Sequence, residues 1–142
     1  MDTQCPTGAF LSVEGSPFDF REMKKIGDGI HCDNAQLKLG GTYDHNFVIN
    51  GDGLREAAVL QSKESGIRLT CFTDQPGVQL YVPCYTLHQK GIDGKDYPPY
   101  SAVCLETQHY PNAINIEHFP SVVLKAGENF RSKTLYHFSV MG

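Results

Sequence analysis

Glu106 stands where an apolar, strand-like run, 101–105, meets a polar stretch that contains Gln108 and His109. Desolvating a carboxylate in such a place costs on the order of several kcal/mol unless another group pairs with it. Apolar surroundings also raise the proton affinity of a carboxylate, which suits it to act as a general base near neutral pH. The strand alone leaves two interpretations open: Glu106 is a catalytic base, or it only caps a turn.

Two further polar residues stand at the start of or inside expected strands. Asp44 follows a Gly-Gly pair and opens an Asp-His-Asn run that enters a strand, and the structural alternative for it is an Asx-type turn. Gln79 follows a Pro-Gly turn into an otherwise apolar strand, where a buried amide needs hydrogen-bond partners. Two carboxylates and an amide are suited to holding several hydroxyl groups, so Asp44, Gln79 and Glu106 together indicate a sugar site.

Other chemistries find little support in the sequence. None of the six histidines has the helical i, i+4 spacing of a zinc motif, although His45, His109 and His118 lie near carboxylates. The five cysteines include no C-x-x-C pair, and no Gly-x-Ser-x-Gly nucleophile motif is present. We therefore expect no metal and no disulfide, with Cys71 and Cys104 packing as small apolar groups.

Composition sets the class of protein. A chain of 142 residues fits one domain, so we expect a single domain over 1–142. The net charge of −4, with no basic stripe, gives no reason to expect nucleic-acid binding. No apolar run approaches the roughly 20 residues that span a bilayer, and the first residues lack the order of a signal peptide. These features predict a cytosolic protein that binds no membrane.

Short strands separated by turns dominate the pattern, which predicts an all-β, antiparallel β-sandwich. The last strand carries Thr134, Tyr136, Phe138 and Val140 on one face, and this alternation predicts a half-buried antiparallel strand. One short helical turn is expected at Asp19–Ile26, because Asp19 and Glu22 have capping-box spacing and Gly27 can end it. The expected strands are 46–49, 54–61, 67–73, 78–82, 102–107, 121–125 and 133–140, with a hairpin loop at 62–66.

Several stretches, read in order, resemble the galactose mutarotase (aldose 1-epimerase) family. The strongest match is Cys-Leu-Glu-Thr-Gln-His-Tyr-Pro at 104–111. The others cover nearly the whole chain: Pro-Thr-Gly at 6–8, Ser-Pro-Phe-Asp-Phe-Arg at 16–21, Tyr-Asp-His-Asn-Phe at 43–47, Gln-Pro-Gly-Val-Gln-Leu-Tyr at 75–81, Phe-Pro-Ser at 119–121 and Arg-Ser-Lys-Thr at 131–134. Three departures bear on substrate preference: Ser-Ala-Val at 101–103 for Ser-Gly-Phe, Tyr100 for a basic residue before it, and Val-Pro-Cys at 82–84 for Thr-Gly-Asn.

The resemblance implies a mutarotase-like β-sandwich with an open sugar groove and a reaction that uses no cofactor. In that reaction the α and β anomers of free aldoses such as galactose and glucose interconvert through the ring-opened sugar. By resemblance, Glu106 is the general base that takes the proton from the anomeric hydroxyl. Asp44 matches the aspartate that holds sugar hydroxyls, and Gln79 matches a glutamine that contacts the sugar.

The matched stretches correspond to roughly the C-terminal half of the family pattern. The earlier half carries the general-acid histidine in an Asn-His-(Ser/Thr)-Tyr-Phe-Asn-Leu stretch, which is not found in these 142 residues. We therefore expect part of a mutarotase sandwich that turns over little by itself. The alternatives are a carbohydrate-binding module without turnover and a non-functional fragment. A partial sandwich would also expose a sheet edge through which copies of the chain could associate.

Overall fold

The computed structural model describes residues 5–85 and 87–142, in which β-strands are the main regular elements. The strands are β1 (Asp44–Val48), β2 (Arg55–Gln61), β3 (Ile67–Thr73), β4 (Gly77–Tyr81), β5 (Leu87–Lys90), β6 (Asp96–Tyr97), β7 (Cys104–Gln108) and β8 (Thr134–Val140). The helical elements are α1 (Ile26–Gly29), α2 (Ala35–Gly40) and a 3-10 turn at Ala113–Asn115. No helix in these residues is long and apolar enough to cross a membrane.

The strands form small sheets in the described residues. One has the strand order β1-β4-β7, a second has the order β2-β3-β8, and β5 pairs with β6. β3 pairs antiparallel with β8 in one unbroken register from Ile67↔Val140 to Thr73↔Thr134. β2 pairs antiparallel with β3, and an irregularity between Glu56 and Ala58 interrupts that register. The prediction of an antiparallel all-β fold is confirmed, as is the hairpin that joins β2 to β3.

The chain divides into two compact units. The first contains the chain up to His45 together with Leu80–Cys104, and the second contains Asn46–Gln79 together with Leu105–Gly142. That the 142 residues act as a single domain stays a prediction.

In the first unit, a short helix and a buried tyrosine lead the chain into β1. Asn34 caps α2 by accepting hydrogen bonds from the backbone N–H groups of Gln36 and Leu37, at 2.9 and 3.4 Å. Gly41, with φ of +70°, ends this helix in the left-handed conformation. Tyr43 follows with no exposed surface, and its hydroxyl donates to the carbonyl of Pro17 at 2.9 Å. This burial fixes the chain just before Asp44.

In the second unit, side chains of β8 contact β7. The Tyr136 hydroxyl donates to the carbonyl of Leu105 at 2.7 Å, and the hydroxyls of Thr107 and Thr134 are hydrogen bonded. Thr134 Oγ1 also lies 3.2 Å from Oγ1 of Thr73, which is fully buried. Thr107 therefore lies on the face of β7 turned toward β8, and alternation places Glu106 and Gln108 on the opposite face.

The end of β1 is joined to the end of β3 through Arg55. Its guanidinium donates five hydrogen bonds of 2.9–3.1 Å, all to backbone carbonyls. The acceptors belong to Ile49, Asn50, Gly53, Thr73 and Gln75. Because arginine carries five N–H donors, every one of them is used. Arg55 thus holds the turn after β1 against the turn after β3.

The predicted helical turn at Asp19–Ile26 is wrong. Residues 5–25 are not helical, and helix begins at Ile26, with a second helix at α2. Asp19 accepts hydrogen bonds from the backbone N–H of Arg21 at 3.3 Å and from its guanidinium at 2.7 and 2.8 Å. An aspartate that bonds two residues ahead forms an Asx turn, which competes with helix capping.

Two expectations about strands also fail. The run Ser121–Lys125 forms no strand, and Val122, Val123 and Leu124 are 45, 58 and 55% exposed. Apolar β-branched residues favour a strand only when a neighbouring strand pairs with them. β8 does form, but its predicted half burial is wrong, because Phe138 and Val140 are 67 and 81% exposed.

Candidate functional site

Glu106 is the middle residue of β7, and its side chain is exposed. The expectation that this carboxylate lies in apolar surroundings is therefore wrong, and β7 continues past it to Gln108. Since Thr107 contacts Thr134, the face of β7 that carries Glu106 is turned away from β8. An exposed carboxylate on a strand keeps a fixed backbone position while its oxygens remain accessible to a ligand.

Gln79 is the middle residue of β4 and is half-buried between Val78 and Leu80, which are 3 and 7% exposed. Its amide oxygen accepts a hydrogen bond from Nε2 of Gln108 at 3.4 Å. Gln108 lies two residues after Glu106, so both project from the same face of β7. The structure thus places Gln79 and Glu106 on strands that are joined by an amide contact within the second unit.

Gln108 also donates to Oδ1 of Asn46 on β1, at 3.3 Å. Asn46 and Gln108 both fall in stretches that carry the family resemblance, but sequence reasoning assigned them no role. The available signal was the period-two spacing, because each residue lies two positions after a predicted site residue, Asp44 or Glu106. The register between strands, which brings the two amides together, was not available from the sequence.

Asp44 is the first residue of β1 and is exposed. Its backbone N–H donates to Nδ1 of His45 at 3.0 Å. Alternation along β1 puts Asp44 on the strand face that also carries Asn46. Asp44 belongs to the first unit, whereas Gln79 and Glu106 belong to the second, so the joint action of all three stays a prediction.

His45 is held as a neutral imidazole within the first unit. Its Nδ1 accepts the Asp44 N–H, so that nitrogen carries no proton in this arrangement. Burial lowers the pKa of His45, and the attraction of the Asp44 carboxylate offsets only part of this effect. The ring also packs edge-on against Phe18, with centroids 4.6 Å apart. These contacts favour a structural role for His45.

His109, directly after β7, is engaged by a chain of polar groups in the second unit. Its Nδ1 lies 2.8 Å from Oε1 of Gln75, and because that oxygen only accepts, Nδ1 is the donor. Nε2 of Gln75 in turn donates to Asp74 at 3.5 Å, and the Asp74 carboxylate accepts the backbone N–H of Lys133 at 2.9–3.0 Å. His109 therefore stabilises the turn after β3.

The described residues contain no group of three or more His, Cys, Asp and Glu side chains placed to hold a metal ion. The five cysteines are free thiols. Cys71 is fully buried on β3, and burial raises the pKa of its thiol.

Comparison with known proteins identifies the family. Residues 1–137 match the family model described as aldose 1-epimerase. Galactose mutarotase from Bos taurus is 40% identical over 139 residues, which cover 95% of this chain and 39% of the relative. The chain thus spans about two fifths of the length of the curated relatives it matches.

Solved structures agree with the fold. Galactose 1-epimerase from Lactobacillus acidophilus superposes with a TM-score of 0.82 at 29% identity, covering 98% of this chain and 40% of that one. An aldose epimerase homologue from C. elegans gives a TM-score of 0.78 at 32% identity, covering 97% of this chain and 41% of that one. The strand order, the matched residues and these relatives lead to one conclusion: the chain belongs to the aldose 1-epimerase family.

Proposed function

We propose that this protein acts on free aldoses, interconverting their α and β anomers, with Glu106 as the general base. The observation that carries the proposal is the exposed Glu106 carboxylate on the same strand face as Gln108, whose amide contacts Gln79. Carboxylate oxygens and carboxamides are groups that bind sugar hydroxyls through directed hydrogen bonds. The similarity to galactose mutarotase from Bos taurus supports the same assignment.

In the proposed reaction, Glu106 takes the proton of the anomeric hydroxyl while the bond between C1 and the ring oxygen breaks. The ring oxygen receives a proton from a general acid, and the open-chain aldehyde rotates about its C1–C2 bond. Reclosure on the other face of the carbonyl returns both protons and gives the opposite anomer. Each positioned proton-transfer group contributes about 10²–10⁴-fold to the rate.

Asp44 and Gln79 hold the sugar in this proposal. The Asp44 carboxylate accepts hydrogen bonds from hydroxyls, and the Gln79 amide contacts the sugar. Their work is orientation, which lets one carboxylate reach one hydroxyl in a favourable geometry. Galactose and glucose are the aldoses that the resemblance implies.

The 142 residues supply the base and the hydroxyl-binding groups, but not the family's general-acid stretch. His45 and His109 are each engaged in local hydrogen bonds, which argues against either as the acid. For the 142-residue chain tested by itself, we therefore expect sugar binding with little turnover. A carbohydrate-binding module without turnover is the second candidate, and the same set of groups favours it.

Polarimetry on freshly dissolved α-D-galactose tests the activity. The 142-residue chain is expected to accelerate mutarotation little over buffer, and Glu106→Gln should remove whatever acceleration remains. Turnover that is robust and survives Glu106→Gln would refute Glu106 as the base. A parallel NMR titration with galactose should shift the side-chain amide resonance of Gln79, and binding that leaves this resonance unmoved would refute its role in the site.

The proposal also includes association between copies of the chain and a cytosolic location. Ile67, Phe138 and Val140 are 48, 67 and 81% exposed on β3 and β8, and they support association between copies of the chain along this sheet. Light scattering across a concentration series should then show dimers that Phe138→Ser weakens, and a monomer at every concentration would contradict this association.

Free thiols at all five cysteines support the reducing environment of the cytosol as the compartment.

A further inference from the structure

Gln108 is bonded in a way that only an amide nitrogen allows. Its Nε2 lies 3.3 Å from Oδ1 of Asn46 and 3.4 Å from Oε1 of Gln79. A carboxamide nitrogen carries two hydrogens, so one goes to each oxygen. A carboxylate at this position would place an acceptor against two acceptors, and an apolar side chain would leave both oxygens without this donor.

The direction of these bonds is set by the backbone. Nδ2 of Asn46 donates to the carbonyl of Phe47 at 3.4 Å, and a carbonyl can only accept. The Asn46 nitrogen must therefore face that carbonyl, which turns its Oδ1 toward Gln108. Gln108 therefore points its Nε2 at Oδ1 of Asn46. Because the same nitrogen also faces Gln79, the Gln79 amide must turn its oxygen toward Gln108 to accept.

Asn46 is held in this position by close packing. A Cβ built on Gly77 would lie 2.7 Å from both Nδ2 and Oδ1 of Asn46. The Asn46 amide thus occupies the space above the Gly77 backbone on the neighbouring strand. Only glycine leaves that space open, so Gly77 at the start of β4 also fixes the first amide of the series Asn46, Gln108 and Gln79, called here the amide series.

We propose that Gln108 is a positioning residue that sets the orientation of the Gln79 amide for the sugar. The inference rests on the proposed function, in that Gln79 is taken to contact the sugar. With its oxygen turned to Gln108, Gln79 directs its Nε2 away from Gln108. The sugar then meets a fixed end of the amide, so aldoses with a hydroxyl oxygen correctly placed for that end are preferred. Gln108 itself acts through Gln79 and is not a catalytic residue.

Two substitutions separate orientation from contact. Gln108→Glu keeps the size of the side chain but reverses its polarity, so the Gln79 amide should rotate to offer its nitrogen. Gln108→Met keeps the approximate length and removes the donor, so the amide should lose its fixed orientation. Gln61→Glu makes the same chemical change at an exposed position of β2 and serves as the control.

The measurement is NMR of the side-chain amide groups, first without ligand and then in a titration with α-D-galactose. Without sugar, the Gln79 amide resonances should move in both Gln108 variants and stay in place in the control. The dissociation constant should rise about tenfold in Gln108→Glu and less in Gln108→Met, which corresponds to about 1.4 kcal/mol for the first. Preserved dispersion of the backbone resonances shows that a variant is folded.

The outcomes distinguish this inference from the proposed function. If the Gln79 amide resonances do not shift in either folded Gln108 variant, the positioning role is overturned, regardless of the measured affinity for galactose. Resonances that move, with galactose affinity equal to that of the control, would overturn the claim that orientation matters for the sugar. If the unsubstituted chain binds no galactose while the Gln79 resonances respond to Gln108→Glu, the proposed sugar site fails and the amide series alone stands.

Discussion

The Tyr136 hydroxyl donates a 2.7 Å hydrogen bond to the backbone carbonyl of Leu105, the residue immediately before Glu106. The bond runs from β8 to β7, so it ties the strand that carries the carboxylate to the second sheet. Thr134 contacts Thr107, the residue immediately after Glu106, from the same strand. The residues on both sides of the proposed base are thus hydrogen bonded to β8, while the Glu106 side chain projects from the opposite face of β7.

Tyr136→Phe should lower the free energy of unfolding by about 0.5–1.5 kcal/mol, because one hydrogen bond is lost while the ring is kept. Urea denaturation measures the change. Tyr97→Phe, the same deletion at a 44% exposed tyrosine of β6, is the control. Equal effects of the two substitutions would show that the bond to Leu105 contributes no stability.

Gly77→Ala should destabilise the protein by about 1–3 kcal/mol, because the new methyl group would overlap the Asn46 amide. Thermal or urea unfolding gives the magnitude, and the Asn46 amide resonances report the displacement directly. Gly27→Ala is a matched control, since a Cβ there meets nothing within 4 Å. In a helix the control should stabilise by about 0.5–1 kcal/mol, so the two substitutions should have opposite signs.

Arg55→Lys should lower the free energy of unfolding by about 3 kcal/mol despite keeping the charge, because a lysine cannot reach carbonyls on both turns. Arg68→Lys on the exposed end of β3 provides the comparison and should change stability little. Urea denaturation of both variants decides the matter. A small and equal effect at the two positions would mean that charge, and not the fork of donors, is what Arg55 contributes.

The stability of the protein should fall as the pH drops below about 6.5, the ordinary pKa of histidine, in part because of His45. Burial lowers the pKa of His45 in the folded state, so in this range the unfolded chain binds the proton first. The free energy of unfolding therefore rises with pH between the folded and unfolded pKa values of His45. Above the unfolded pKa, the contribution of His45 to stability is fully present. His45→Asn keeps an acceptor near the Nδ1 position and should flatten this slope in urea denaturation at several pH values. A slope unchanged by the substitution would assign the pH dependence to other groups.

How much could be predicted from the sequence depends on whether the deciding interaction is local. β3 and the hairpin before it were predicted because alternation and turn residues lie within the segment itself. The run 121–125 also contains β-branched residues that favour strands, but pairing requires a partner strand, which propensity does not report. The helical turn at Asp19 failed because the carboxylate bonds Arg21 instead of capping.

The same distinction holds for the candidate site. Gln79 and Glu106 were predicted as site residues from their position on strands and from the family motifs, and that role stays a prediction. Gln108 and Asn46 were not, because their contacts depend on the register of strands that are distant in the sequence. Their alternation with Glu106 and Asp44 was visible, but the direction of each amide follows only from a carbonyl that faces Asn46.

The amide series that ends at Gln79 begins at the main-chain carbonyl of Phe47. Every amino acid has that carbonyl, so evolution can change the side chain at 47 without reversing the amide of Gln79. A substitution at 47 should therefore leave the orientation of the Gln79 amide unchanged, whereas a change at 46, 77 or 108 needs a compensating change at a second position to preserve it. The orientation of the Gln79 amide is in this way determined by a backbone carbonyl on another strand.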